Sequence, residues 1–198
     1  MRIAILDYGA GNLHSLAKAL APLARDVRCE TEALRCVDAD LLVLPGVGSF
    51  TQAASHMAPT RHVLRAAITD GLPVLGICLG MQLFFDASDE GPGAGLGIVP
   101  GRVTRLCATR VPQMGWNALD DVTDPALASA GLTLAYYANS FACRPDDVST
   151  VGAWSTHDED RFPAMVRAGR AVGVQFHPEK SSGAGLRLLA TLVEERGT

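Results

Sequence analysis

Two short apolar runs, Leu41-Leu42-Val43-Leu44 and Val74-Leu75-Gly76-Ile77, constrain this chain more than any other feature. A strand with one wet face alternates polar and apolar residues, whereas an unbroken apolar run fits a strand covered on both faces. Strands of that kind lie at the centre of parallel sheets and need helical crossovers. The rest of the first half supplies them. Apolar strand segments at 2–6 and 27–30 alternate with helical sequence at 12–23 and through residue 67, and a helix is expected at 79–86 after the second run. Glycines and prolines mark a long loop over 91–101.

Beyond residue 101 the rhythm changes to short segments at 101–106, 115–118, 133–139, 150–155 and 164–167, which read as hairpins. A last strand at 171–176 precedes a closing helix at 183–195, with Leu186, Leu189, Ala190 and Val193 spaced to face the core. The expected fold is α/β, one domain over 1–198, with a mostly parallel central sheet, helices on both faces and a mixed or antiparallel extension. The 198 residues are 48% apolar, enough for a core without disulfide or metal staples. With 17 basic and 21 acidic side chains and no basic run, neither nucleic acid nor an anionic membrane is an expected partner. The uncharged stretch 41–60 holds Pro45, Gly46, Gly48, Gln52 and His56, so it is not a membrane span. Five cysteines without a CxxC, and an N-terminus that meets Asp7 early, fit reduced thiols in the cytoplasm.

Chemistry concentrates at three places. Val74-Leu75-Gly76-Ile77-Cys78-Leu79-Gly80 runs from an apolar strand through Gly-x-Cys-x-Gly into a helix, the layout of a nucleophile elbow. There the next backbone N–H points where an oxyanion would form, and the helix start favours a thiolate. A buried cysteine in a tight turn is the competing reading. His177-Pro178-Glu179 places an imidazole and a carboxylate on the same side of an extended segment, base and orienting group for a thiol. A solvated strand end, or a zinc site with Cys78, would use the same residues. Pro45-Gly46-Val47-Gly48 follows a central strand, where glycines let backbone N–H groups approach a ligand.

Together with Gly80-Met81-Gln82, Gln175-Phe176-His177-Pro178-Glu179-Lys180, the opening Asp7-Tyr8-Gly9-Ala10-Gly11-Asn12-Leu13 and Val111-Pro112-Gln113-Met114-Gly115-Trp116-Asn117, these motifs resemble the class I (triad) glutamine amidotransferases, of flavodoxin-like fold. Within them the chain most resembles the glutaminase subunits of imidazole glycerol phosphate synthases. The resemblance implies hydrolysis of L-glutamine to glutamate and ammonia by Cys78, His177 and Glu179, with no metal or organic cofactor. It implies an oxyanion site from Gly46, Val47, Gly48 and Leu79, glutamine contacts from Gln82 and Glu90, and ammonia transfer to a separate cyclase subunit in a heterodimer. Trp116, Asn117 and Lys180 would meet that partner, although the sequence fits a core tryptophan equally well. Gln113 and Asn139-Ser140-Phe141 stand where the family has His and commonly His-Ser-Tyr. A glutaminase serving an anthranilate or pyridoxal phosphate synthase, or a γ-glutamyl hydrolase, would keep the same catalytic residues.

Overall fold

The computed structural model describes residues 1–9 and 13–195; Ala10, Gly11 and Asn12 of the opening motif lie outside the described residues. In chain order the elements are β1 (Arg2–Leu6), α1 (His14–Leu20), β2 (Asp26–Glu30), α2 (Ala33–Cys36), β3 (Leu41–Leu44), α3 (Phe50–Met57), α4 (Arg61–Thr69), β4 (Val74–Ile77), α5 (Leu79–Gln82) and β5 (Ala87–Ser88). There follow β6 (Gly101–Arg105), β7 (Gln113–Ala118), α6 (Pro125–Ala130), β8 (Leu134–Asn139), β9 (Phe141–Pro145), β10 (Val151–His157), β11 (Asp160–Ala168), β12 (Ala171–Val174) and α7 (Ser182–Glu194). The main sheet has the order β10-β11-β12-β4-β3-β1-β2. It is parallel from β2 to β12 and antiparallel from β12 to β10. This is the expected α/β architecture, parallel centre and antiparallel extension together.

Both diagnostic runs sit where their composition places them: β3 and β4 are neighbours in the middle, every residue buried. Successive residues face opposite sides of the sheet. Ile3, Ile5, Val43, Leu75 and Ile77 pack with Leu16, Leu20, Leu188 and Leu192, while Ala4, Leu6, Leu42, Leu44 and Val74 pack with Phe50, Met57, Leu64 and Ile68. Two smaller sheets are β5-β6-β9 and the antiparallel pair β7-β8, whose strands are joined through α6; residues 138–141 at the end of β8 and start of β9 reach the carboxyl ends of β3 and β4. Among the described residues no helix is long and apolar enough to cross a membrane.

Three expectations need correction. The helix after Cys78 ends at Gln82, not at residue 86, because the next carbonyls are drawn into the following loop: Leu83 O accepts from Leu96 N–H, Phe84 O from Ile98 and Val99, and Phe85 O from Gly97. The buried face of α7 is Gly185, Leu188, Leu189, Leu192 and Val193, which turns Leu186 outward at 46% exposure. The strand expected at 171–176 stops at Val174. Helix α6, absent from the expected elements, carries local signals of its own: Asp124 Oδ1 accepts from Ala126 N–H, Pro125 opens the helix, and Gly131 closes it in the left-handed conformation at φ +63°.

Candidate active site

At the end of β4 the chain reverses into α5 through Cys78, whose φ is +49° and ψ −106°. A non-glycine residue in that region costs about 1–3 kcal/mol and persists only when its surroundings fix it. They do. Cys78 N–H donates to Val174 O at 2.7 Å, and its carbonyl accepts from Met81 and Gln82 N–H. At Gly80 a Cβ would lie 1.9 Å from Leu44 O, so only glycine lets the first turn of α5 press against β3. The Gly-x-Cys-x-Gly pattern is thus a packing requirement of the elbow.

His177 reaches the neighbourhood of Cys78 from the chain beyond β12, and its interaction with the thiol raises the basicity of the ring. Its Nδ1 lies 2.9 Å from Glu179 Oε1, and all three side chains are buried. Burial alone would lower the basicity of His177, but the hydrogen bonds and negative charges of Cys78 and Glu179 outweigh it and hold its pKa up at about 10. The ring therefore keeps a second proton readily. The Pro45-Gly46 segment passes directly over the pair: a Cβ on Gly46 would meet Cys78 Cβ at 2.8 Å and His177 Cε1 at 2.9 Å.

Beside the thiol lies a cavity of about 210 Å³ lined by Gly46, Gly48, Leu79, Gln82, Glu90 and the stretch 138–141. Glu90 Oε2 accepts from Phe50 N–H at 2.8 Å in the first turn of α3, which fixes that carboxylate at the rim. Val47 instead lines a second cavity of about 170 Å³ shared with His177, Glu179 and Lys180; Gly46 lines both, so this segment is the partition between them. Asn139 is buried on the wall opposite, with Gln113 as its cross-strand neighbour. Among the described residues no group of three or more His, Cys, Asp or Glu could hold a metal ion.

Of the three interface candidates, Trp116 is 54% exposed and meets Tyr136 edge-to-face at 6.2 Å between ring centroids, which removes the core reading. Lys180 Nζ stands 5.9 Å from the same tyrosine ring. Asn117 does not join them: its amide donates to Thr156 O at 2.8 Å and accepts from Ala118 N–H, toward β10. One residue of this region had no role in the sequence reading. Gln175 Nε2 donates to Cys78 Sγ at 3.5 Å, and the available signal was its place two residues before His177 in an extended segment, on the same side.

The family model "Glutamine amidotransferase class-I" matches residues 4–194. The chain belongs to the class-I glutamine amidotransferases. This amidotransferase is 41% identical over 202 residues to the "Imidazole glycerol phosphate synthase subunit HisH" of Microcystis aeruginosa, covering 98% of this chain and 95% of that one. It is likewise 41% identical to the protein of the same name from Halobacterium salinarum, covering 97% and 92%. Among solved structures, one titled "Crystal structure of glutamine amidotransferase" superposes with a TM-score of 0.77 at 20% identity, covering 99% of both chains. The "Structure of PurLQS from Thermotoga maritima" gives 0.76 at 18%, covering 98% of both. At those identities the structural likeness shows the amidotransferase fold, and the curated relatives carry the subgroup.

Proposed function

We propose that this chain, one amidotransferase domain over 1–198, is the cytoplasmic glutaminase subunit of an imidazole glycerol phosphate synthase. The observation that carries the chemistry is the buried Cys78 elbow, closed by His177 and Glu179 at the end of the cavity that Gln82 and Glu90 line. Cys78 Sγ attacks the side-chain amide carbon of glutamine. The carbonyl oxygen, now negative, is held by Leu79 N–H and by N–H groups of the Gly46-Val47-Gly48 segment. Leu79 is the first residue of α5, so its N–H has no acceptor within that helix. His177 gives its proton to the nitrogen as the C–N bond breaks, releasing ammonia and leaving a glutamyl thioester on Cys78. The same ring then takes a proton from water attacking the thioester, and glutamate leaves with the thiolate restored. Glu179 fixes the tautomer of His177 and balances its charge. Glu90 and Gln82 hold the amino-acid end of the substrate.

The ammonia is passed to a cyclase subunit, a reading supported by the names of the curated relatives and by the exposed apolar face around Trp116. The test is glutamate release by this chain alone and then with a cyclase subunit and its ribonucleotide substrate. Strong stimulation in the complex is the expected result; activity indifferent to the cyclase would assign the chain to a different ammonia acceptor.

A further inference from the structure

Gln175 is fully buried immediately after β12, where a side-chain amide must find partners within the protein. Its two ends are engaged in opposite senses. Oε1 accepts from Gln82 Nε2 at 3.3 Å, and Nε2 donates to Cys78 Sγ at 3.5 Å. The orientation is set from the cavity side, because Gln82 Nε2 also donates to Phe141 O at 3.1 Å and so presents a donor to Gln175. With its oxygen committed to Gln82, Gln175 turns its NH2 to the sulfur. We propose that Gln175 belongs to the catalytic machinery: it holds the Cys78 thiolate through a hydrogen bond whose direction is fixed by Gln82 on the cavity wall.

The bond discriminates between the two forms of the sulfur. A neutral donor gains roughly twice as much from an ionised acceptor as from a neutral one, and more in a site without water. A backbone carbonyl works the opposite way: Ala138 O, 3.9 Å from Sγ, can only accept and so favours the thiol. Gln175 offsets that carbonyl. Four titratable groups stand around Cys78. His177 and Glu179 lie beyond β12, Glu90 lies at the cavity rim, and in β9 burial pushes the Cys143 thiol well up and keeps it neutral. Neither Gln175→Leu nor Gln82→Met changes any of them, so a shift in either variant reports the lost donor or its lost orientation.

This inference rests on Cys78 being the nucleophile, and the experiment separates the two. Iodoacetamide labelling of Cys78 in the full chain, read by peptide mass spectrometry, is followed across pH in the parent, Gln175→Leu and Gln82→Met. The Gln175→Leu curve is expected to move to the alkaline side by about one pH unit, a roughly tenfold loss of labelling at neutral pH. Glutamate production by the same variant is expected to lose kcat with KM nearly unchanged. An unmoved curve, or a raised KM at unchanged kcat, overturns the assignment. If Gln175→Leu fails to fold, Gln82→Met decides: a smaller shift in the same direction supports the relay and an unmoved curve removes it. Continued hydrolysis by Cys78→Ala would instead defeat the nucleophile reading.

Discussion

The Cys78 crevice and the outer face of the β7-β8 pair break the ordinary rule of burial in opposite directions. In the crevice, His177, Glu179, Gln82 and Gln175 are polar and buried, each held by a specific partner. On the β7-β8 pair, Met114, Trp116 and Leu134 are apolar and exposed, and with Ala118, Tyr136 and Ala138 they share one side of a two-stranded ribbon. A buried polar cluster is costly unless it is fully arranged, and an exposed apolar patch is costly unless something covers it. The first kind of exception marks chemistry and the second association.

The contrast can be broken experimentally. Cys78→Ala should reduce glutamate release by roughly a thousandfold or more while leaving the affinity for a cyclase subunit unchanged; both quantities falling together would erase the division. Gly46→Ala should cost roughly a hundredfold in kcat, since the new methyl displaces Cys78 and His177 without removing either. On the other side, Trp116→Ala should raise the Kd for the cyclase about thirtyfold, a loss of about 2 kcal/mol, with the melting temperature of the free chain nearly constant. Glu179→Gln sharpens the comparison through pH. Because Cys78 and, after it, Glu179 raise the His177 pKa in the folded chain, the share of that stabilisation that Glu179 brings is present near pH 6 and is lost as pH rises through about 10. Urea unfolding should show the parent ahead of Glu179→Gln by about 1–2 kcal/mol near pH 6 and the gap closing toward pH 10. Smallest of all, Leu186→Ala on the exposed side of α7 should change stability by less than about 0.5 kcal/mol, whereas Leu188→Ala on the buried side should cost about 2–5 kcal/mol.

The sheet centre and the crevice were legible because their constraints are local. Four apolar residues in a row admit few environments, and Gly-x-Cys-x-Gly carries its own steric reason in the contact between Gly80 and Leu44 O. What the sequence hid depends on distant partners. The length of α5 is decided by residues 95–99 taking its would-be carbonyls, and the outward turn of Leu186 by how α7 lies against α1 and α6. The bonds of Asn117 to β10 and of Gln175 to Cys78 join segments 39 and 97 residues apart, which no local pattern announces.

Strand β8 joins the two exceptional regions through a single peptide neighbourhood. Tyr136 O accepts from His177 N–H at 2.8 Å, Tyr136 N–H donates to Ser181 Oγ at 2.9 Å, and that hydroxyl donates back to His177 O at 2.6 Å. The ring of the same tyrosine lies under Trp116 and Lys180 on the outside. Tyr136 therefore faces both ways, its peptide bonded to the segment of the catalytic base and its ring set against the surface residues. The main chain that carries the catalytic base and the aromatic surface of β8 thus meet at one residue, bonded inward by its peptide and turned outward by its ring.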